Sequence, residues 1–338
     1  MKISILIPAH NEEKSIAACV ESCLAQTRTP DEIIVVNDSS TDQTAQILKK
    51  FGSKIKVINN VSRHNKSYAQ EKGLEYVTGD IFVSTDADTI LDSRFVELIE
   101  NDFQDNRVAA VAGYVRSRRY NWLTNIRAYD YSIGQHIHKR AQTIMGFMLV
   151  IPGAAGAFRT QIFKDYIGFD HDTLTEDLDF TYKLHHHNLI IKYNREAIVY
   201  TQDPSTLSSY INQMRRWYGG GWQNLKKHLT LDLISEPGRA LELTLIYVEG
   251  LTFSLILLLL PIINISLALK VFAFFELTIF IQSIYAAYKE KRPEILTTAL
   301  YYWFIMLINA SIFLEQFIKE IILKRRNLIW FQPERVKL

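Results

Sequence analysis

The sequence predicts an α/β protein with a mainly parallel sheet, followed by helices that span a membrane. Three observations carry this prediction. Short apolar runs alternate with helical stretches through the first quarter of the chain. Each of those runs ends in polar or acidic residues. Near Pro237 the composition changes: from Leu241 to Tyr288 the only charges are Glu242, Glu249, Lys270 and Glu276. Alternating strands and helices imply a sheet covered on both faces. Helices that run so long without a polar face are those buried in lipid.

The elements follow in order. Lys2–Pro8 reads as a buried strand closed by proline, and Asn11-Glu12-Glu13 as the start of a helix with Asn11 as its cap. Asp31–Asp38 is a second strand, and Ser39–Asp42 turns into a helix that reaches Phe51. Ile55–Ile58 is a third strand, Ser67–Val77 a helix, and Asp80–Asp86 a fourth strand. Ligands of such sheets bind beyond the C-terminal strand ends. His10, Asn11, Asp38, Asp86 and Asp88 all fall on that edge.

Gathered carboxylates need a cation or a hydroxyl-rich ligand to offset their repulsion. Asp86-Ala87-Asp88 can present one acid to a divalent ion and the other to a ribose, and hard ions such as Mg²⁺ or Mn²⁺ take such oxygen ligands. Thr175-Glu176-Asp177 opens another helix, where its acids serve either as a dipole-complementing cap or as a general base. Gln213-Met214-Arg215-Arg216-Trp217 sits on a helix before Gly219-Gly220-Gly221. Guanidinium pairs with phosphate and an indole face stacks on a sugar ring. An interfacial helix touching lipid headgroups is the other reading of that segment.

In this order, Pro8-Ala9-His10-Asn11-Glu12, Val36-Asn37-Asp38-Ser39-Ser40-Thr41-Asp42, Asp86-Ala87-Asp88-Thr89, Thr175-Glu176-Asp177 and Gln213–Trp217 resemble a family-2 glycosyltransferase of the GT-A fold. The nearer likeness is to membrane-bound polysaccharide synthases, those of cellulose, chitin, hyaluronan and poly-N-acetylglucosamine. The resemblance implies a UDP-sugar donor, with Ala9, Glu12, Asp38, Lys66 and Asp86 at the nucleotide and Asp88 on an Mg²⁺ or Mn²⁺ ion at the diphosphate. It implies Asp177, beside Glu176, as the catalytic base of an inverting displacement. Gln213, Arg216 and Trp217 would line the acceptor end and steady the diphosphate, and Gly153–Gly156 would let the acceptor approach the backbone. His10 stands where the family has tyrosine, Asn65–Gln70 replaces its G-K-x-x-A-L-N stretch, and Asn188 replaces a common glycine in a left-handed turn. The implied product is a β-linked polysaccharide built from UDP-N-acetylglucosamine or UDP-glucose. The alternative is transfer of one sugar to a membrane lipid.

Averages exclude other classes. With 338 residues, 48% hydrophobic and 22% charged, the chain is neither disordered, collagen-like nor a disulfide-stapled mini-protein. A net charge of +2 gives no pull toward nucleic acid. A mean hydropathy of −0.01 averages two unlike parts: a cytosolic transferase domain over 1–230 and a membrane domain over 231–323, then a basic tail over 324–338. The spans fall at about 242–263, 267–288 and 295–318, since a crossing takes about 20 apolar residues. Met1-Lys2-Ile3 enters a strand at once, so no signal peptide is expected, and the protein is placed in the cell membrane as a multi-pass chain. Lys289–Arg292 fits a cytosolic loop, but three crossings would put the basic Lys324-Arg325-Arg326 outside. Glu249, Gln282, Tyr301, Tyr302, Trp303 and Asn309 are candidates to line a polymer channel. Three spans enclose little space, so secretion would call for a second copy or an accessory protein. Cys19 and Cys23 read as packing residues, and His185-His186-His187 as an exposed or interfacial polar turn.

Overall fold

The computed structural model describes residues 1–235, 237–325 and 328. Eight strands form one sheet: β1 (Ile3–Ala9), β2 (Glu32–Asp38), β3 (Lys56–Asn60), β4 (Ile81–Ser84), β5 (Ile90–Leu91), β6 (Val108–Ser117), β7 (Gly156–Arg159) and β8 (Ile190–Thr201). Their spatial order is β3-β2-β1-β4-β7-β6-β8-β5. The first four are parallel to one another, as the alternating pattern predicts. The far half is mixed: β7 runs antiparallel to β4 and β6, and β5 antiparallel to β8. β1 is buried along its whole length, which is why it reads as an unbroken apolar run rather than an alternating one. Ile3, Ile5 and Ile7 pack on one side of the sheet and Leu6 on the other. Burying each such side chain contributes about 1.5–3 kcal/mol.

Two expectations about local structure are corrected. Asn11 does not cap the first helix, which spans Ile16–Leu24 behind Ser15. Asn11 instead takes a left-handed φ of 52°, and its side chain accepts from the Thr41 amide at 2.7 Å, closing the β1 turn onto the β2 turn. The Gly219-Gly220-Gly221 run lies inside one helix, Leu207–Ser235. A Cβ at Gly220 would lie 2.4 Å from Thr175 Oγ1, so the glycine permits close packing against the start of the Glu176–His186 helix. Nor are the three histidines an exposed turn. His185 is buried on Met148 O at 2.8 Å and His186 meets His228 at 2.9 Å, while His187 alone is the exposed one. Asn188 does adopt the left-handed conformation, with φ 53°.

The apolar C-terminal part begins with helix Pro237–Ile263, and Asn264 then caps helix Ile265–Glu290 by accepting from the Leu267 amide. Leu243–Ile263 and Ile265–Glu290 are each long and apolar enough to cross a membrane. The third stretch is not one straight helix: a 3₁₀ turn, Pro293–Leu300, meets Tyr302–Ile322 at 65°. The hairpin returns to the sheet. Glu290 accepts from Tyr114 Oη and pairs with Arg116 at 2.6 Å, both on β6. Arg292 donates to Ser117 O at 2.9 Å and Asn125 Oδ1 at 3.1 Å.

Candidate active site

The C-terminal ends of β1, β2 and β4 open onto a cleft of about 500 Å³. Ala9, Glu12, Lys66, Asp38, Asp86 and Asp88 line it, and so do Glu176, Asp177, Gln213, Arg216 and Trp217. The structure thus brings together every residue that the resemblance offers for the donor, the metal, the base and the acceptor end. Register explains the strand-end wall. Ala9 pairs with Asn37 and Asp38 with Asn60, so one more residue on each strand reaches the rim.

Asp38 accepts from Asn60 Nδ2 at 2.9 Å and from the His64 amide at 3.1 Å, which fixes its carboxylate. Glu12 is buried, and Ser15 donates to its carboxylate. Lys66 begins the Lys66–Leu74 helix, whose N-cap is Asn65. Its ammonium lies 2.6 Å from Asp86 and 2.8 Å from Glu176, joining the strand-end wall to the helical one. Those two carboxylates outweigh the desolvation that burial imposes and hold Lys66 well above the usual lysine range. Gly153 faces this ammonium at 3.0 Å from where a Cβ would stand, so small residues there keep the cleft open.

Asp177 occupies the first turn of Glu176–His186. Its own helix amide at Leu178 donates at 2.9 Å. Burial and the neighbouring Glu176 push its carboxyl up to about 6, against the lowering effect of Lys66 and Arg216. A carboxylate raised toward neutrality is suited to taking a proton.

The donor chemistry of Asp86 and Asp88 is all oxygen, which suits a hard divalent cation that keeps contacts to phosphate. Asp88 is 5% exposed, and its Oδ1 accepts from Thr89 Oγ1 at 3.3 Å. The residues present therefore fit such an ion. Elsewhere, among the described residues, Asp170, Asp172 and Asp179 converge closely enough to share one. Lys227 fills that place, with its ammonium 2.5, 2.8 and 2.7 Å from the three carboxylates.

Several residues in or behind the cleft wall carry no motif signal. Arg127 is buried, pairs with Asp130 at 3.0 Å and Asp203 at 3.4 Å, and stacks 4.7 Å from the Trp217 ring, orienting the indole. Lys139 lines the cleft and is 7% exposed; burial lowers it to about 7 although Asp177 opposes that. Behind Asp177, His228 bridges Asp179 at 2.8 Å and His186 at 2.9 Å, tying its helix to Leu207–Ser235. The one available signal was the density of Asp, His and Lys at helical spacing in 170–187 and 226–228.

The glycosyl transferase family 2 model matches residues 4–167. Those residues are a family 2 glycosyltransferase domain. The chain is a glycosyltransferase, and the sheet and cleft are its GT-A-like fold. The poly-beta-1,6-N-acetyl-D-glucosamine synthase of Staphylococcus epidermidis is 27% identical over 362 aligned positions, spanning 98% of this chain and 87% of the relative. The enzyme of the same name from Staphylococcus aureus strain COL is 30% identical over 227 positions, 66% of this chain and 55% of that one. The solved mannosyltransferase PcManGT of Pyrobaculum calidifontis, in complex with GDP-Man and Mn²⁺, superposes with a TM-score of 0.67. It covers 96% of this chain and 88% of its own at 18% identity, a likeness of fold.

Proposed function

We propose that this glycosyltransferase is an inverting, metal-dependent enzyme that moves a sugar from UDP-N-acetylglucosamine or UDP-glucose to a growing β-linked polysaccharide at the cell membrane. One observation carries the reading: a half-buried carboxyl poised near neutrality, Asp177, shares a cleft with the strand-end acids and with Arg216 and Trp217. The synthase relatives support a polymeric product.

In this mechanism Asp38 holds the uridine, with Ala9 and Glu12 shaping the same pocket. Asp86 serves the nucleotide, and Asp88 would hold the divalent cation, which when bound would offset the charge of the leaving diphosphate. Arg216 stabilises that same charge from the helical wall. Asp177 takes the proton of the acceptor hydroxyl as its oxygen attacks the anomeric carbon, and Lys66 keeps Glu176 from competing for that proton. Trp217, held by Arg127, offers its face to the acceptor sugar. The proposed division is a cytosolic catalytic part over 1–230 and a membrane part over 231–323, with the basic tail on 324–338.

One observation favours the second reading, single transfer to a lipid. Gln282, Tyr302 and Asn309, expected to face a channel, are bound instead by Tyr129, Asp130 and Tyr210. The test is UDP release by the purified protein from UDP-glucose, UDP-N-acetylglucosamine and UDP-galactose, with Mg²⁺, Mn²⁺ or chelator, followed by sizing of the product. Metal-stimulated release with a ladder of products supports the polymer reading; a single glycolipid supports the second. Absence of release from every donor rejects both.

A further inference from the structure

We propose that the third apolar stretch, residues 293–322, does not cross the bilayer but lies along the catalytic side, bracing the helix that carries Gln213, Arg216 and Trp217. The inference rests on the membrane reading above and settles the side of the basic tail.

The stretch starts on the catalytic side, because Glu290 and Arg292 just before it are bound to β6, its Ser117 carbonyl and Asn125. Its main helix, Tyr302–Phe317, is then tied to the same part of the molecule at its beginning, middle and end. Tyr302 donates to Asp130 at 2.6 Å. Asn309 accepts from Tyr210 at 3.0 Å. Glu315 pairs with Arg215 at 3.1 Å, and Glu320 in the following turn accepts from Gln223 at 3.0 Å. The partners advance together along both chains, so the two helices run side by side in the same direction. Gln316 reaches the surface left bare by Gly219.

A crossing would therefore carry Leu207–Ser235 through the hydrocarbon as well. That helix bears Arg215, Arg216, Lys226 and Lys227. Each basic side chain at the bilayer centre costs about 2.5–3.5 kcal/mol on insertion scales. The 65° bend at Tyr301 supplies the turn by which the segment leaves the hairpin and lies down. Its outer face keeps Leu300, Trp303, Phe304, Ile318 and Ile322 exposed, and Glu315, Lys319 and Glu320 face the catalytic part or its edge. The end of the stretch, Phe317 and Ile321, packs with Leu243 and Tyr247 where the first span starts, so the segment finishes on the side from which that span sets out. Two crossings then leave Lys324 and Arg325 on the catalytic side, in accord with the excess of basic residues in cytoplasmic loops. The brace holds the acceptor end of the cleft at headgroup height.

The test is site-directed labelling with a membrane-impermeant maleimide, in intact cells and in inverted vesicles. Native Cys19 and Cys23 are 0% exposed and stay silent. Ser53→Cys marks the catalytic side, Ser266→Cys the tip of the hairpin, and Lys324→Cys the end of the third stretch; all three positions are exposed. The expected result is that Lys324→Cys and Ser53→Cys label in inverted vesicles and lose labelling in intact cells, with Ser266→Cys the reverse. Labelling of Lys324→Cys on the side opposite Ser53→Cys overturns the inference. Labelling of Ser266→Cys together with Ser53→Cys breaks the two-crossing hairpin instead, and Lys324→Cys still reports the third stretch.

Discussion

The two walls of the cleft hold their acids by opposite means. On the strand-end wall, Asp38, Asp86 and Asp88 sit where parallel strands stop, and Lys66 is the one cation bound to Asp86 among the described contacts. On the helical wall, Asp179 and Asp203 come with their own cations: Asp179 has Lys183 at 3.1 Å, Lys227 at 2.7 Å and His228 at 2.8 Å, and Asp203 has Arg127. Acids gathered where strands stop are prepared for an incoming cation and phosphate. A wall that neutralises itself is prepared to keep its shape. Asp177 belongs to the second wall by position and to the first by behaviour, since its neighbours leave it raised to about 6.

The largest expected effect comes from removing that exception. Asp177→Asn should lower kcat by about 10²- to 10⁴-fold while UDP still binds, measured by turnover and by calorimetry of UDP binding. Wild-type turnover in the purified variant would remove Asp177 from the role of base. Next comes the self-neutralised wall. Lys227→Met strips the shared ammonium from Asp170, Asp172 and Asp179. Asp170 and Asp172 are 41% and 46% exposed and Asp179 keeps Lys183 and His228, so the expected loss is about 1 kcal/mol of stability, seen as a lower Tm. An unchanged Tm would mean the cluster is not neutralised internally.

The third effect is on pH dependence. Asp177 acts only when ionised, and its carboxyl is raised, so kcat/KM should fall by about tenfold per pH unit below pH 6 and level off above it. Lys66 lowers that carboxyl, so Lys66→Met should move the acid limb to higher pH. A limb that stays near pH 4 in the parent enzyme would assign the base elsewhere. The smallest effect is at the brace. Arg215 and Glu315 are partly exposed, at 46% and 28% of their side chains, and such pairs contribute about 0.2–1 kcal/mol. Arg215→Glu or Glu315→Arg alone should cost that much in Tm, and the double swap should recover it.

The strand-end wall was legible because it is local. A buried run followed by an acid on the same strand places that acid at the rim, whatever the rest of the chain does. Asp177 was legible for a related reason, as an acid at the start of a helix. Arg127, Lys139 and Asp179 were not, because each looks in sequence like an ordinary charge on a helix surface. Their burial depends on partners far along the chain, such as Asp203 for Arg127 and His228 for Asp179. The same distance misled the reading of His185–His187. It also misled the reading of Gln282, Tyr302 and Asn309, whose polar groups in an apolar stretch suggested a channel and proved to be docking points. The bend at Tyr301 was not legible either, because hydropathy counts apolar residues and is blind to the Asp130, Tyr210 and Gln223 that hold the segment.

The bond from Tyr114 to Glu290 spans 176 residues. On a ribosome adding roughly 5–20 residues per second, β6 waits on the order of 10 to 35 s for the chain that completes it. Ala128, Tyr129 and Ile133, which pack against Ile279 and Ala286, stay uncovered for as long. Synthesis therefore sets an order of events: the half built on β1 to β4 can form first, but the flank carrying Tyr114 and Arg116 is finished only after the chain through Glu290 has been made and has come back. A chain stalled before that return keeps an unfinished flank.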